Sequence, residues 1–108
     1  MRDGPARRHM RARRPDQRRP FSQVPVVVDF TATWCGPCQR IAPKFVEFAA
    51  KYTDCVFVKV DVDENEETAQ ACGISAMPTF QCWKGGKKVD ELVGASNEKL
   101  EALVTKNM

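Results

Sequence analysis

Histidine is almost missing from this chain: among 108 residues there is one, His9. A zinc site built on a close cysteine pair needs a second such pair or two histidines, so this scarcity argues against metal binding. Long apolar runs are missing too. No stretch approaches the ~20 residues of a membrane span, and the N-terminus has no hydrophobic core of a secretory signal. The expectation is a soluble, intracellular protein, cytoplasmic first, with no membrane partner. The five cysteines are odd in number and irregular in spacing outside one close pair, which does not suit the disulfide framework of a secreted miniprotein. There is no internal repeat, and the length allows one small domain.

Charge is present but uneven. Residues 1–20 hold eight arginines against Asp3 and Asp16, a balance of +6, which leaves −3 of the total +3 for residues 21–108. Pro5, Pro15 and Pro20 stand among those arginines with almost no apolar residue to anchor an element. Residues 1–23 are therefore expected to form a disordered basic tail, and residues 24–108 the folded domain. An organellar transit peptide is an alternative, although Ser22 is the only serine of that segment and no amphipathic face can be drawn. The run Arg11-Ala12-Arg13-Arg14 could serve as a nuclear address, whereas nucleic-acid binding is a weaker expectation.

Within the domain the hydrophobic periods alternate. Val24–Phe30 is apolar on both faces, as in a strand buried mid-sheet, with Asp29 as the exception. Cys35–Lys51 reads as a helix with Ile41, Phe45, Phe48, Ala49 and Tyr52 on its buried side, kinked by Pro43. Cys55–Asp61 is a second, valine-rich strand, parallel to the first because a helix connects them. Asp63 with Glu66 resembles a capping box opening a short helix through Ala69 to Cys72, ended by Gly73. Thr79–Lys84 and Lys87–Val93 flank the Gly85-Gly86 turn of a hairpin that includes Trp83. Ser96 caps a last helix with the stripe Leu100, Leu103 and Val104. The order β-α-β-α-β-β-α implies an α/β fold, a mixed sheet with helices on both faces.

The chemistry concentrates at Trp34-Cys35-Gly36-Pro37-Cys38, directly after the first strand. Two thiols one helical turn apart can cycle as a disulfide, and the free amides of a helix start favour the thiolate that attacks in disulfide exchange. Cys35, at the helix start, is the candidate nucleophile, and Cys38, one turn in, the resolving thiol. The alternative for this pair is two buried structural cysteines. Asp29 should be buried with a raised pKa, which makes it a candidate proton carrier.

The segment Thr31-Ala32-Thr33-Trp34-Cys35-Gly36-Pro37-Cys38, with Asp29 before it and Met77-Pro78-Thr79 and Gly94 after it, resembles the thioredoxin family from about Pro25 to the C-terminus. The resemblance implies the thioredoxin fold and a protein-disulfide reductase that serves cell redox homeostasis. No bound cofactor is implied, since electrons come from NADPH through a thioredoxin reductase, and the other partners are oxidised proteins. Gly36-Pro37 matches the strongly reducing members, which disfavours an oxidase or isomerase of the secretory pathway. It further implies that Asp29 takes a proton from Cys38, that Lys59 pairs with Asp29, and that Pro78 is cis and faces the thiols. The Ala76–Met77 backbone would bind an extended substrate segment, while Trp34, Gly73, Ile74 and Gly94 complete an apolar rim. A non-catalytic binding module with a localising basic tail is the alternative.

Cys55 and Cys82 read as small buried hydrophobes, whereas Cys72, close to the substrate loop, is a candidate regulatory thiol. One departure from the family stands out. Its first strand and helix are replaced here by the basic tail, so an open sheet edge and self-association are expected, with Phe21–Val24 as partial cover.

Overall fold

The computed structural model describes residues 20–108. The tail expected over residues 1–23 thus lies mostly outside the described residues. Four strands form one sheet in the order β2-β1-β3-β4: β1 (Val26–Thr31), β2 (Val56–Asp61), β3 (Thr79–Lys84) and β4 (Lys87–Val93). Three helices accompany them, α1 (Gly36–Lys51), α2 (Glu66–Ala71) and α3 (Asn97–Lys106). The apolar character of β1 on both faces follows from its inner position. It runs parallel to β2 and antiparallel to β3, so Asp29 stands beside Lys59 on one side and Phe80 on the other.

Each sheet face has its own core. Val27, Phe57, Phe80 and Cys82 pack against Ile41, Phe45 and Phe48 of α1 and Leu100, Leu103 and Val104 of α3. Phe45 meets Phe57 edge-on, with ring centroids 5.4 Å apart. Burying each of these side chains contributes about 1.5–3 kcal/mol, which outweighs the weak propensities of the short elements. On the opposite face Val28, Phe30, Val58 and Val60 form a smaller cluster with Cys72, Ile74 and Trp83 at its border.

Several boundaries move from their expected places. The first strand begins at Val26 and not Val24, although Val24 is buried and Ser22 packs on the Gly85 turn; a 3₁₀ turn over Phe21–Gln23 leads in. α1 starts one residue late because Cys35 is its N-cap, and it continues unbroken through Pro43. The capping box at Asp63 does not form. Asn65 is the N-cap of α2 without a side-chain cap bond, its Nδ2 donating to the Asp61 carbonyl, while Asp63 Oδ2 accepts from Trp34 Nε1. The hairpin falls where it is expected, with Gly85 and Gly86 at φ +57° and +80°, and Gly73 closes α2 at φ +72°. Ser96 Oγ accepts from the Lys99 amide as the cap of α3. Among the described residues β2 is an edge strand, and no helix is long and apolar enough to cross a membrane.

Candidate active site

The polypeptide leaves β1 at Thr31, turns through Ala32–Cys35 and enters α1, which puts the cysteine pair at the C-terminal end of the central strand. Cys35 and Cys38 form a disulfide with Cα atoms 5.3 Å apart. Cys35 Sγ accepts a hydrogen bond from the Cys38 amide at 3.2 Å, so the sulfur itself caps the helix. An acceptor at that place is favoured most when it is anionic. Both residues are buried, Cys35 6% exposed and Cys38 2%, against Ala32, Val62 and Met77. Trp34 projects from this surface at 66% exposure, and its Nε1 donates to Asp63 Oδ2 at 2.8 Å.

Asp29 lies on the sheet face that α1 covers and is 1% exposed. Its Oδ1 has no hydrogen-bond donor among the described residues. Burial pushes the carboxyl up to about 7, with the Lys59 ammonium on the neighbouring strand pulling it partly back. Lys59 is otherwise exposed to solvent.

The Met77–Pro78 peptide is cis. Pro78 is buried, its carbonyl accepts from the Gly94 amide at 2.9 Å, and Thr79 Oγ1 donates to the Ala76 carbonyl at 2.5 Å. A cleft of about 250 Å³ beside the disulfide is lined by Trp34, Cys35, Val62, Ile74, Ala76 and Met77, with Ala69 and Ser75. Of the anticipated substrate-binding residues, Trp34, Ile74, Ala76 and Met77 line this cleft. Gly36, Pro37, Gly73, Pro78 and Gly94 do not line this cleft, Pro78 and Gly94 being joined by a backbone hydrogen bond. Cys72 faces away from it, into a groove on the sheet face.

Three contributors carry no signal in the sequence. Val62 and Ser75 line the cleft, and Asp63 fixes Trp34. Each is brought in by a turn whose path follows from tertiary packing, so no local pattern marks Val62 or Ser75, and the pattern at Asp63 points to a helix cap instead. Gln81 is equally silent. It is fully buried mid-strand, donates to the Cys72 carbonyl at 3.1 Å and to Glu91 at 2.9 Å, and accepts from Trp83 Nε1 at 3.0 Å. Cys55 and Cys82 are sealed in the core, and burial pushes the Cys82 thiol up to about 11.

The family model for thioredoxin matches residues 17–106. A thioredoxin of Geodia cydonium is 62% identical over 73 residues, 68% of this chain and 69% of that protein. Thioredoxin-1 of Schizosaccharomyces pombe is 54% identical over 83 residues, 77% of this chain and 81% of its own. Among solved structures, the Schistosoma mansoni thioredoxin crystal structure superposes with a TM-score of 0.76 at 58% identity, covering 79% of this chain and 78% of that one. With the sheet order, the capped cysteine pair and these relatives in agreement, the chain belongs to the thioredoxin family and is a protein-disulfide oxidoreductase of that family.

Proposed function

We propose that Cys35 and Cys38 reduce protein disulfides in two exchange steps, the reading carried by the Cys35 sulfur serving as N-cap of α1. The Cys35 thiolate attacks one sulfur of the substrate disulfide. A Cys35–substrate bond forms, and the other substrate sulfur leaves as a thiolate. Cys38 then gives up its proton and attacks Cys35; the Cys35–Cys38 disulfide forms, and the second substrate thiol departs. Two electrons pass from protein to substrate. Asp29, held near neutrality by burial, is suited to take the Cys38 proton at physiological pH, and Lys59 tunes it.

The exposed indole of Trp34 and the cleft walls at Ile74, Ala76 and Met77 provide apolar contact, and the Ala76–Met77 backbone can pair with an extended substrate segment. Gly36, Pro37, Gly73, Pro78 and Gly94, outside the cleft itself, are the remaining substrate-contact positions by family resemblance. By family membership the disulfide is returned to the dithiol by a thioredoxin reductase using NADPH, and the compartment is the cytoplasm. Residues 1–23 form a basic extension of a domain spanning 24–108. Cys72, half-exposed, is a regulatory thiol open to glutathionylation. The edge position of β2 is compatible with self-association.

The test is insulin reduction with NADPH and a thioredoxin reductase. Turnover that is lost with Cys35→Ser supports the reading, and turnover that survives it rejects the assignment of the nucleophile.

A further inference from the structure

α2 hands the chain to β3 through residues 73–78, and four of those, Ile74, Ser75, Ala76 and Met77, line the cleft beside the cysteine pair. No regular element holds this loop, so bonds from its surroundings must fix it. Its entry is a helix-ending turn with Gly73 at φ +72°: the Gly73 amide donates to the Gln70 carbonyl and the Ile74 amide to the Ala69 carbonyl, both at 3.0 Å. That pattern leaves the carbonyl of Cys72 without a partner in the helix. Gln81 of β3 supplies one, its Nε2 donating to the Cys72 oxygen at 3.1 Å. Gln81 is 0% exposed, and both amide hydrogens and the amide oxygen are engaged: Nε2 also donates to Glu91 Oε2 of β4 at 2.9 Å, and Oε1 accepts from Trp83 Nε1 at 3.0 Å. Two acceptors on one side and a donor on the other fix which way the amide points. Thr79, two positions earlier and therefore on the same strand face, ties the loop a second time by donating to the Ala76 carbonyl. Cys72 and Trp83 also line the groove that runs along β1 over Val26, Val28 and Phe30. An apolar side chain could fill the place of Gln81 there, but only an amide can hold the loop.

We infer that Gln81 is a positioning residue for substrate recognition: through the Cys72 carbonyl it holds the Ile74–Met77 wall in the shape that an extended protein segment meets. The inference rests on the substrate cleft proposed above. Its physical content is preorganisation. A loop already ordered loses little freedom when a substrate segment pairs with Ala76–Met77, whereas a loosened loop has to be ordered at the moment of binding. Sulfur exchange at Cys35 does not bear that cost. Gln81 therefore acts on the reduction of protein disulfides far more than on that of small ones.

The experiment mixes the reduced full-length protein with oxidised insulin, or with a small aromatic disulfide that offers no main chain to pair, and compares the two second-order rate constants. Gln81→Met keeps the length of the side chain and removes its hydrogen bonds. It should lower the ratio of the insulin rate to the small-disulfide rate by about five- to tenfold, as for one lost hydrogen bond. Gln81→Glu with Glu91→Gln keeps the charge, the cross-strand bond and the acceptor for Trp83 but has no donor for Cys72, and should show the same loss. Glu91→Ala and Trp83→Phe each cut one other bond of Gln81 and spare the one to Cys72. They should lower the melting temperature without moving the ratio. A ratio at the parent value in both Gln81 variants, or one that falls equally in all four, overturns the inference. Amide exchange supplies a readout free of turnover: Gly73 and Ile74 should exchange about fivefold faster or more in Gln81→Met than in Trp83→Phe. Equal exchange overturns the positioning role, whereas a parent protein that fails to reduce insulin would reject the reductase reading and leave the exchange comparison to decide the loop.

Discussion

Asp29 shows how one side chain ties stability to chemistry. Its carboxyl has an ordinary pKa of 3.8 and is pushed to about 7 in the fold, first by burial and against the pull of Lys59. Below about pH 4 it is protonated folded or unfolded and costs nothing extra. Between pH 4 and 7 the unfolded chain releases the proton while the folded one keeps it, so stability falls as pH rises. Above pH 7 the loss is complete, on the order of 4 kcal/mol. Asp29→Asn should therefore melt higher than the parent at pH 8, with the gap closing toward pH 4, and should slow resolution of the mixed disulfide. Melts of both proteins across that range check this; a gap independent of pH would detach Asp29 from the titration. The thiols allow a sharper separation. Cys38→Ser should accumulate substrates as mixed disulfides that dithiothreitol releases, and Cys35→Ser should trap none, as read on non-reducing gels. Asp29 is legible in the sequence because an acid inside a valine run must lose its water once the run becomes an inner strand. Gln81 is not, since a glutamine in a strand is ordinarily solvated, and its three bonds are made to three separate residues that only the folded sheet brings together.

Element boundaries are readable where the backbone itself demands a residue type. The Gly85-Gly86 hairpin can be placed because left-handed φ at two successive positions selects glycine. The helix opening after β2 is misplaced by a sequence reading because Asp63 satisfies a local capping pattern, while in the fold its carboxylate is taken by the Trp34 indole, 29 positions away. Side-chain spacing cannot reveal such competition. The two hairpin glycines offer a test of the lead-in segment. Alanine at either suffers left-handed strain of about 1–2 kcal/mol. At Gly85 the added carbon would also lie 3.2 Å from the Ser22 carbonyl oxygen, whereas at Gly86 it meets nothing within 4 Å. Gly85→Ala should be the more destabilising in urea titrations, and equal losses would show that Ser22 does not pack on the turn. Ser96→Ala removes the cap of α3 and should cost about 1 kcal/mol in the same measurement.

At the scale of the whole molecule, the fold class follows from the order of periods, while the groove along β1 cannot be read, because it is defined by the spacing between α2, the hairpin turn and the lead-in segment. The cysteine pair and its cleft lie at the opposite end of β1 from the point where residues 1–19 join the domain. Removing those residues should leave reduction of a small aromatic disulfide unchanged, which a colorimetric rate assay reads directly; a large loss would place the basic segment at the thiols. The sheet order also bears on synthesis. Asp29 stands between Lys59 and Phe80, and the second of these neighbours is translated 51 residues after it. While the chain emerges from the ribosome, Trp34 through Cys38 is exposed well before β3 exists to complete the central strand. In a chain that has not yet formed β3, Asp29 is expected to be hydrated and the two thiols to lack the helix-cap environment. The redox site is therefore a property acquired only once the hairpin docks, and a nascent chain halted before Thr79 should carry the motif without its reactivity.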